Sequence, residues 1–134
     1  MANKVKRKEK KAVEELIKEI KREFSKFKKE MLALILYGSF ACGLETIKSD
    51  IDICVIAGSK EKAKELYKKT LEISAKKPNY DIHFFELMPL HAQIEVIESG
   101  KIIYVKSISE LNYYFYFYRK LWQDQAIHRI KIVT

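Results

Sequence analysis

Proline, cysteine and glycine are all scarce here, with two, two and four residues in a chain of 134. So few prolines and glycines beside an apolar fraction of 48% exclude a disordered or low-complexity protein. Cys42 and Cys54 cannot build a disulfide framework and are too few for a zinc site, so they fit a reducing cytoplasm. No apolar run approaches the ~20 residues that a membrane span requires. The basic N-terminus lacks the apolar stretch and small-residue cleavage site of a secretory signal. Asn and Gln are rare while Lys and Glu dominate, a bias compatible with a heat-adapted source. The length predicts one domain, residues 1–134, with room for a real core.

What the chain does have is charge, unevenly placed. Of a net +8, residues 1–30 supply +6, from twelve Lys and Arg against six Glu. That run reads as the solvated face of a helix, since no aromatic residue interleaves "NKVKRKEKK". The alternative is an arm that touches nucleic acid or an acidic partner.

Periodicity divides the rest. Val13, Leu16, Ile17, Ile20, Phe24 and Phe27 predict an amphipathic helix over about 5–29. "MLALILYG" reads as a strand buried on both faces, and "DIDICVIA" as a second strand. Helical spacing returns over 60–74, "YDIHFFE" predicts a third strand, and Pro89 and Gly100 bracket a further helix. "KIIYVK" is a fourth strand. Ile108, Leu111, Phe115, Tyr118 and Trp122 space a last helix over about 107–128, with Ser107 or Ser109 as its cap. The aromatic run "YYFYFYRKLW" within it also suits a strand. The fold class expected is α/β (α+β): a small mixed sheet of about four strands with helices packed on it.

Aspartate is scarce too, with four residues, and two of them stand in "GSFACGLETIKSDID". Asp50 and Asp52, at i and i+2 of a strand, leave the same face with Cα atoms about 6.5–7 Å apart. Two such carboxylates can share or bracket cations, and without one they repel and raise a pKa. Oxygen ligands with no His/Cys cluster nearby favour Mg²⁺ or Mn²⁺ over Zn²⁺. Ile51, Ile53 and Val55 hold the other face in the core and fix the register. Gly38 permits a tight turn after a buried strand. Ser39 can cap the next segment, aiming N–H groups and a hydroxyl at an anion. Asp81, near the start of the third strand, offers a third acid. His83 shares its face and receives no role, while Asp124 reads as surface.

The pattern G-S-x10-D-x-D, followed by an apolar-Asp-apolar strand, resembles the nucleotidyltransferase superfamily of DNA polymerase beta. In size and layout it looks like the minimal, antitoxin-type members paired with HEPN-domain proteins. The resemblance covers roughly residues 31–105, and Ala41, Gly43 and Ser49 extend it. It implies that Gly38 and Ser39 hold the β,γ-phosphates of a nucleoside triphosphate. It further implies that Asp50, Asp52 and Asp81 carry Mg²⁺ or Mn²⁺, and that Asp81 helps to deprotonate an attacking hydroxyl. Cys42 departs from the family's usual arginine, and Lys48 is the candidate substitute cation.

The expected function is therefore nucleotidyl transfer, with AMP from ATP as the nucleotide and a HEPN partner's tyrosine as an acceptor. Two other readings stand beside it: an inactive antitoxin acting by contact through its aromatic helix, and a basic nucleic-acid binder. A homodimer through that same C-terminal helix is the alternative assembly.

Overall fold

The structure is a computed structural model and describes residues 2–38 and 50–133. Helix α1 (Ala2–Glu23) carries the N-terminal apolar stripe, but the helix read over 5–29 changes character at Phe24. There the chain tightens into a 3-10 turn, Ser25–Glu30, with Phe27 N–H bonded to the Phe24 carbonyl at 3.0 Å. The tightening keeps Phe24 and Phe27 both buried while the chain turns toward the sheet.

The sheet has four strands: β1 (Ala33–Tyr37), β2 (Ile51–Ile56), β3 (Tyr80–Phe84) and β4 (Lys101–Val105), in the order β3-β2-β1-β4. Every residue of β1 is buried, as its unbroken apolar run requires of a central strand. It pairs antiparallel with both β2 and β4, whereas β2 and β3 are parallel. A parallel pair needs a crossover, supplied by α2 (Lys60–Lys69) and α3 (Leu71–Lys76). The sequence reads this stretch as one helix. It breaks at buried Thr70, whose hydroxyl bonds back to the Leu66 carbonyl at 2.8 Å.

Helix α4 (Leu90–Ser99) starts after Pro89, and α5 (Ile108–Val133) starts at Ser107, whose hydroxyl accepts the Glu110 N–H at 3.3 Å. Gly100 ends α4 for a reason other than a left-handed turn: a Cβ there would lie 2.4 Å from both the Ile35 side chain and the Val96 carbonyl. The aromatic run is helical, so the strand alternative for it falls.

Helices cover both faces of the sheet. Leu34, Leu36, Ile51, Ile53, Val55 and Phe84 face α1 and the crossover helices. Ile35, Cys54, Ile56, Phe85 and Val96 face the C-terminal helix, through Leu111 and Phe115. Alternation along β2 therefore sends Ile51, Ile53 and Val55 one way and Asp52, Cys54 and Ile56 the other.

Candidate active site

Asp52 is the second residue of β2 and Asp81 the second of β3, and the parallel register sets them directly side by side. Tyr37, the last residue of β1, is the partner of Asp52 on its other flank. Because side chains alternate, Asp81 and His83 leave β3 on one face, away from Tyr80 and Phe84, which enter the opposite core. His83 Nε2 lies 2.9 Å from Asp81 Oδ2. Ligand atoms of Asp52, Asp81 and His83 all fall within 4.8 Å of one another. The Tyr37 ring meets the His83 imidazole edge-on, with centroids 6.0 Å apart.

Electrostatics mark the centre of this group. Burial raises the Asp52 carboxyl above the ordinary carboxylate range, and the hydrogen bond and charge of Asp81 push it further the same way. Asp50 adds a smaller push, and His83 opposes them. Crowded negative charge of this kind is what a divalent cation relieves, so two carboxylates and an imidazole fit one. Burial also holds the Tyr37 hydroxyl well above its ordinary range, with the surrounding acids adding to it. Tyr37 is therefore a wall of the site, not a base.

Gly38 has φ +77°, and a Cβ there would lie 2.3 Å from Asp52 Oδ2. The glycine thus serves the carboxylate as well as the turn: only a residue without a side chain lets Asp52 lie so close to the backbone. Asp50 lies one residue before β2 rather than on it, and is exposed. It does not join the three-residue group, although its charge reaches Asp52. Ser39, Lys48 and Ser49, with Ala41, Cys42 and Gly43, lie outside the described residues.

His83 is the residue to which the sequence reading gave no role. Its one sequence signal is Asp-x-His at strand spacing, which shows a shared face but not a neighbouring strand. A groove of about 870 Å³ lies beyond the other end of β2 between Gly58, Lys64, Tyr114 and Tyr118. It holds none of the three aspartates.

Comparison with known proteins places the chain in a family and a fold. Residues 18–109 match the family described as Polymerase beta, Nucleotidyltransferase. A Methanocaldococcus jannaschii protein provisionally named protein adenylyltransferase is 38% identical over 96 residues, covering 71% of this chain and 72% of its own length. Among solved structures, a toxin–antitoxin crystal structure with AMP-PNP aligns over 87% of this chain and 94% of its own, with TM-score 0.66 and 20% identity. A complex of tri-AMPylated Shewanella oneidensis HEPN toxin with MNT antitoxin aligns over 87% and 92%, with TM-score 0.60 and 18% identity. At such identities the two structures establish the shared fold.

Proposed function

The chain belongs to the polymerase beta nucleotidyltransferase family, and on that premise we propose that it moves AMP from ATP to a protein hydroxyl. The observation that carries the reading is the in-register pairing of Asp52 with Asp81 at the mouth of two parallel strands. Asp52 and Asp81, with Asp50 beside them, would hold Mg²⁺ or Mn²⁺. Such a cation neutralises triphosphate charge and makes a bound hydroxyl easier to ionise.

The chain's own groups do the rest. Gly38 lets the Asp52 carboxylate lie close against the backbone, and the Ser39 hydroxyl and amide follow it directly in sequence to hold the β,γ-phosphates. Lys48 is the cation nearest in sequence to the acids. Asp81 stands on the edge strand β3 with its side chain about half exposed, so an acceptor hydroxyl can approach it from solvent. It accepts that proton as the hydroxyl oxygen bonds to the α-phosphorus. The bond from the α-phosphorus to the bridging oxygen breaks, and pyrophosphate leaves. Positioning and charge stabilisation supply most of the acceleration.

The acceptor proposed is a tyrosine of a HEPN-domain partner. Support comes from the solved complexes of like fold and from α5, which leaves Tyr113, Tyr116 and Phe117 exposed on one side. Exposed aromatic area of that kind marks an interface. A tyrosine, with an ordinary pKa of about 10, needs a base or cation beside it to attack. The basic N-terminal helix can steer an acidic partner toward the site.

The test is co-expression of the chain with a HEPN-domain protein, followed by mass spectrometry. AMP should appear on a partner tyrosine with the wild type and fall at least about 100-fold with Asp52→Asn, the loss of an electrostatic catalytic group. Label carried from the γ-phosphate instead would make the chain a kinase. Copurification without modification, even with added ATP and Mg²⁺, would favour an antitoxin acting by contact alone, the reading to which the exposed aromatic face also lends itself.

A further inference from the structure

The family resemblance leads one to expect a cation held by carboxylates alone. The donor set on β2 and β3 is different. His83 stands with the two acids: its Nε2 lies 2.9 Å from Asp81 Oδ2, and one ligand atom from each of Asp52, Asp81 and His83 falls within 4.8 Å of the others. Neighbouring ligands of one six-coordinate cation, each bound at about 2.1 Å, stand about 3 Å apart. The spacing of Asp81 and His83 is that of two adjacent ligands. The imidazole is also held from behind: Tyr37 stacks edge-on against it from β1. Its side chain is 39% exposed, so solvent can fill the remaining coordination positions.

We propose that His83 is a direct nitrogen ligand of the cation held by Asp52 and Asp81, and that the centre therefore selects Mn²⁺ over Mg²⁺. An imidazole adds little for Mg²⁺, which prefers oxygen and water, and more for a transition-metal dication. The inference rests on the metal-dependent reading above, deepening it from a generic divalent cation to a mixed nitrogen–oxygen site.

Mn²⁺ provides its own probe. The full chain would be titrated with Mn²⁺ and followed by electron paramagnetic resonance, in competition with Mg²⁺. Wild type would be compared with His83→Gln, His83→Asp and Asp52→Asn, each first shown to melt cooperatively. Wild type should prefer Mn²⁺ by at least about tenfold, and its pulsed spectrum should show ¹⁴N coupling from a bound imidazole. His83→Gln should lose that coupling and most of the preference. His83→Asp, which restores an oxygen ligand, should bind both ions without nitrogen coupling. Absence of ¹⁴N coupling in the wild type overturns the proposal, and this arm does not depend on any variant folding. So does an unchanged preference in His83→Gln while Asp52→Asn loses Mn²⁺; His83 would then only steady Asp81, and the metal-dependent reading would survive. If Asp52→Asn also left Mn²⁺ binding untouched, both readings would fall together.

Discussion

Asp52 carries a cost that the folded protein tolerates. Its carboxyl is raised above the ordinary range, chiefly by burial and then by Asp81, so the fold disfavours its ionised form. The contribution is therefore intact in acid, where Asp52 is neutral in both folded and unfolded chains, and is lost as pH rises through the raised value. In EDTA, Asp52→Asn should gain stability relative to wild type as pH climbs past the ordinary carboxylate range. The gain should stay below about 1 kcal/mol, because solvent screens a partly exposed group. Urea melts of both proteins across that range check the sign; a constant difference would remove the charge crowding. Gly38 is the second residue whose chemistry the site dictates. Gly38→Ala meets both a positive φ and the Asp52 carboxylate, and should cost about 1–2 kcal/mol from the backbone alone, seen as a lowered melting temperature. Asp52 and Asp81 were legible in the sequence because each stands among apolar strand residues, whereas the strand spacing read between Asp50 and Asp52 does not hold, since Asp50 precedes β2. His83 was not legible, since the proximity of its imidazole to Asp52 comes from a register between strands that no local pattern encodes.

Elements were legible where capping and period agree, as at Ser107 for α5, and illegible where an apolar rhythm runs through a break. Phe24 and Thr70 both continue a helical stripe, so nothing in the local pattern marks the 3-10 turn or the split between α2 and α3. Another hidden device is Glu86. Its buried carboxylate accepts the N–H groups of Ala57 and Gly58 at 3.1 and 2.9 Å and the Tyr114 hydroxyl at 2.8 Å. One side chain thereby fastens the end of β2 to the inner face of α5, where Phe85 packs against Phe115 and Tyr118. Tyr114→Phe removes the bond to Glu86 together with the 3.1 Å bond between the Tyr114 and Tyr118 hydroxyls and should cost about 1.5–3 kcal/mol. Glu86→Ala should cost more, because the Ala57 and Gly58 amides lose their acceptor. Thermal or urea unfolding measures both, and an unchanged Tyr114→Phe melt would show that the clamp contributes nothing.

At the scale of the whole molecule, the mixed four-stranded sheet with helices on it was readable from the order of elements, and the helices prove to cover both faces. No helix among the described residues is long and apolar enough to cross a membrane. The strand order could not be read from composition or period, and it is the order that brings the acids together. Asp52 and Asp81 stand on parallel neighbours, so the whole of α2 and α3 lies in the chain between the two carboxylates. Pairings that close such long loops are slow to form. A dication at the proposed site would find its full set of ligands only once β2 and β3 are paired. A bound dication should slow unfolding in proportion to its binding while leaving the refolding rate unchanged. In a denaturant chevron with Mn²⁺ or Mg²⁺, one arm should move and the other stay still; movement of the refolding arm would mean that the ion helps to assemble the sheet rather than only to keep it closed.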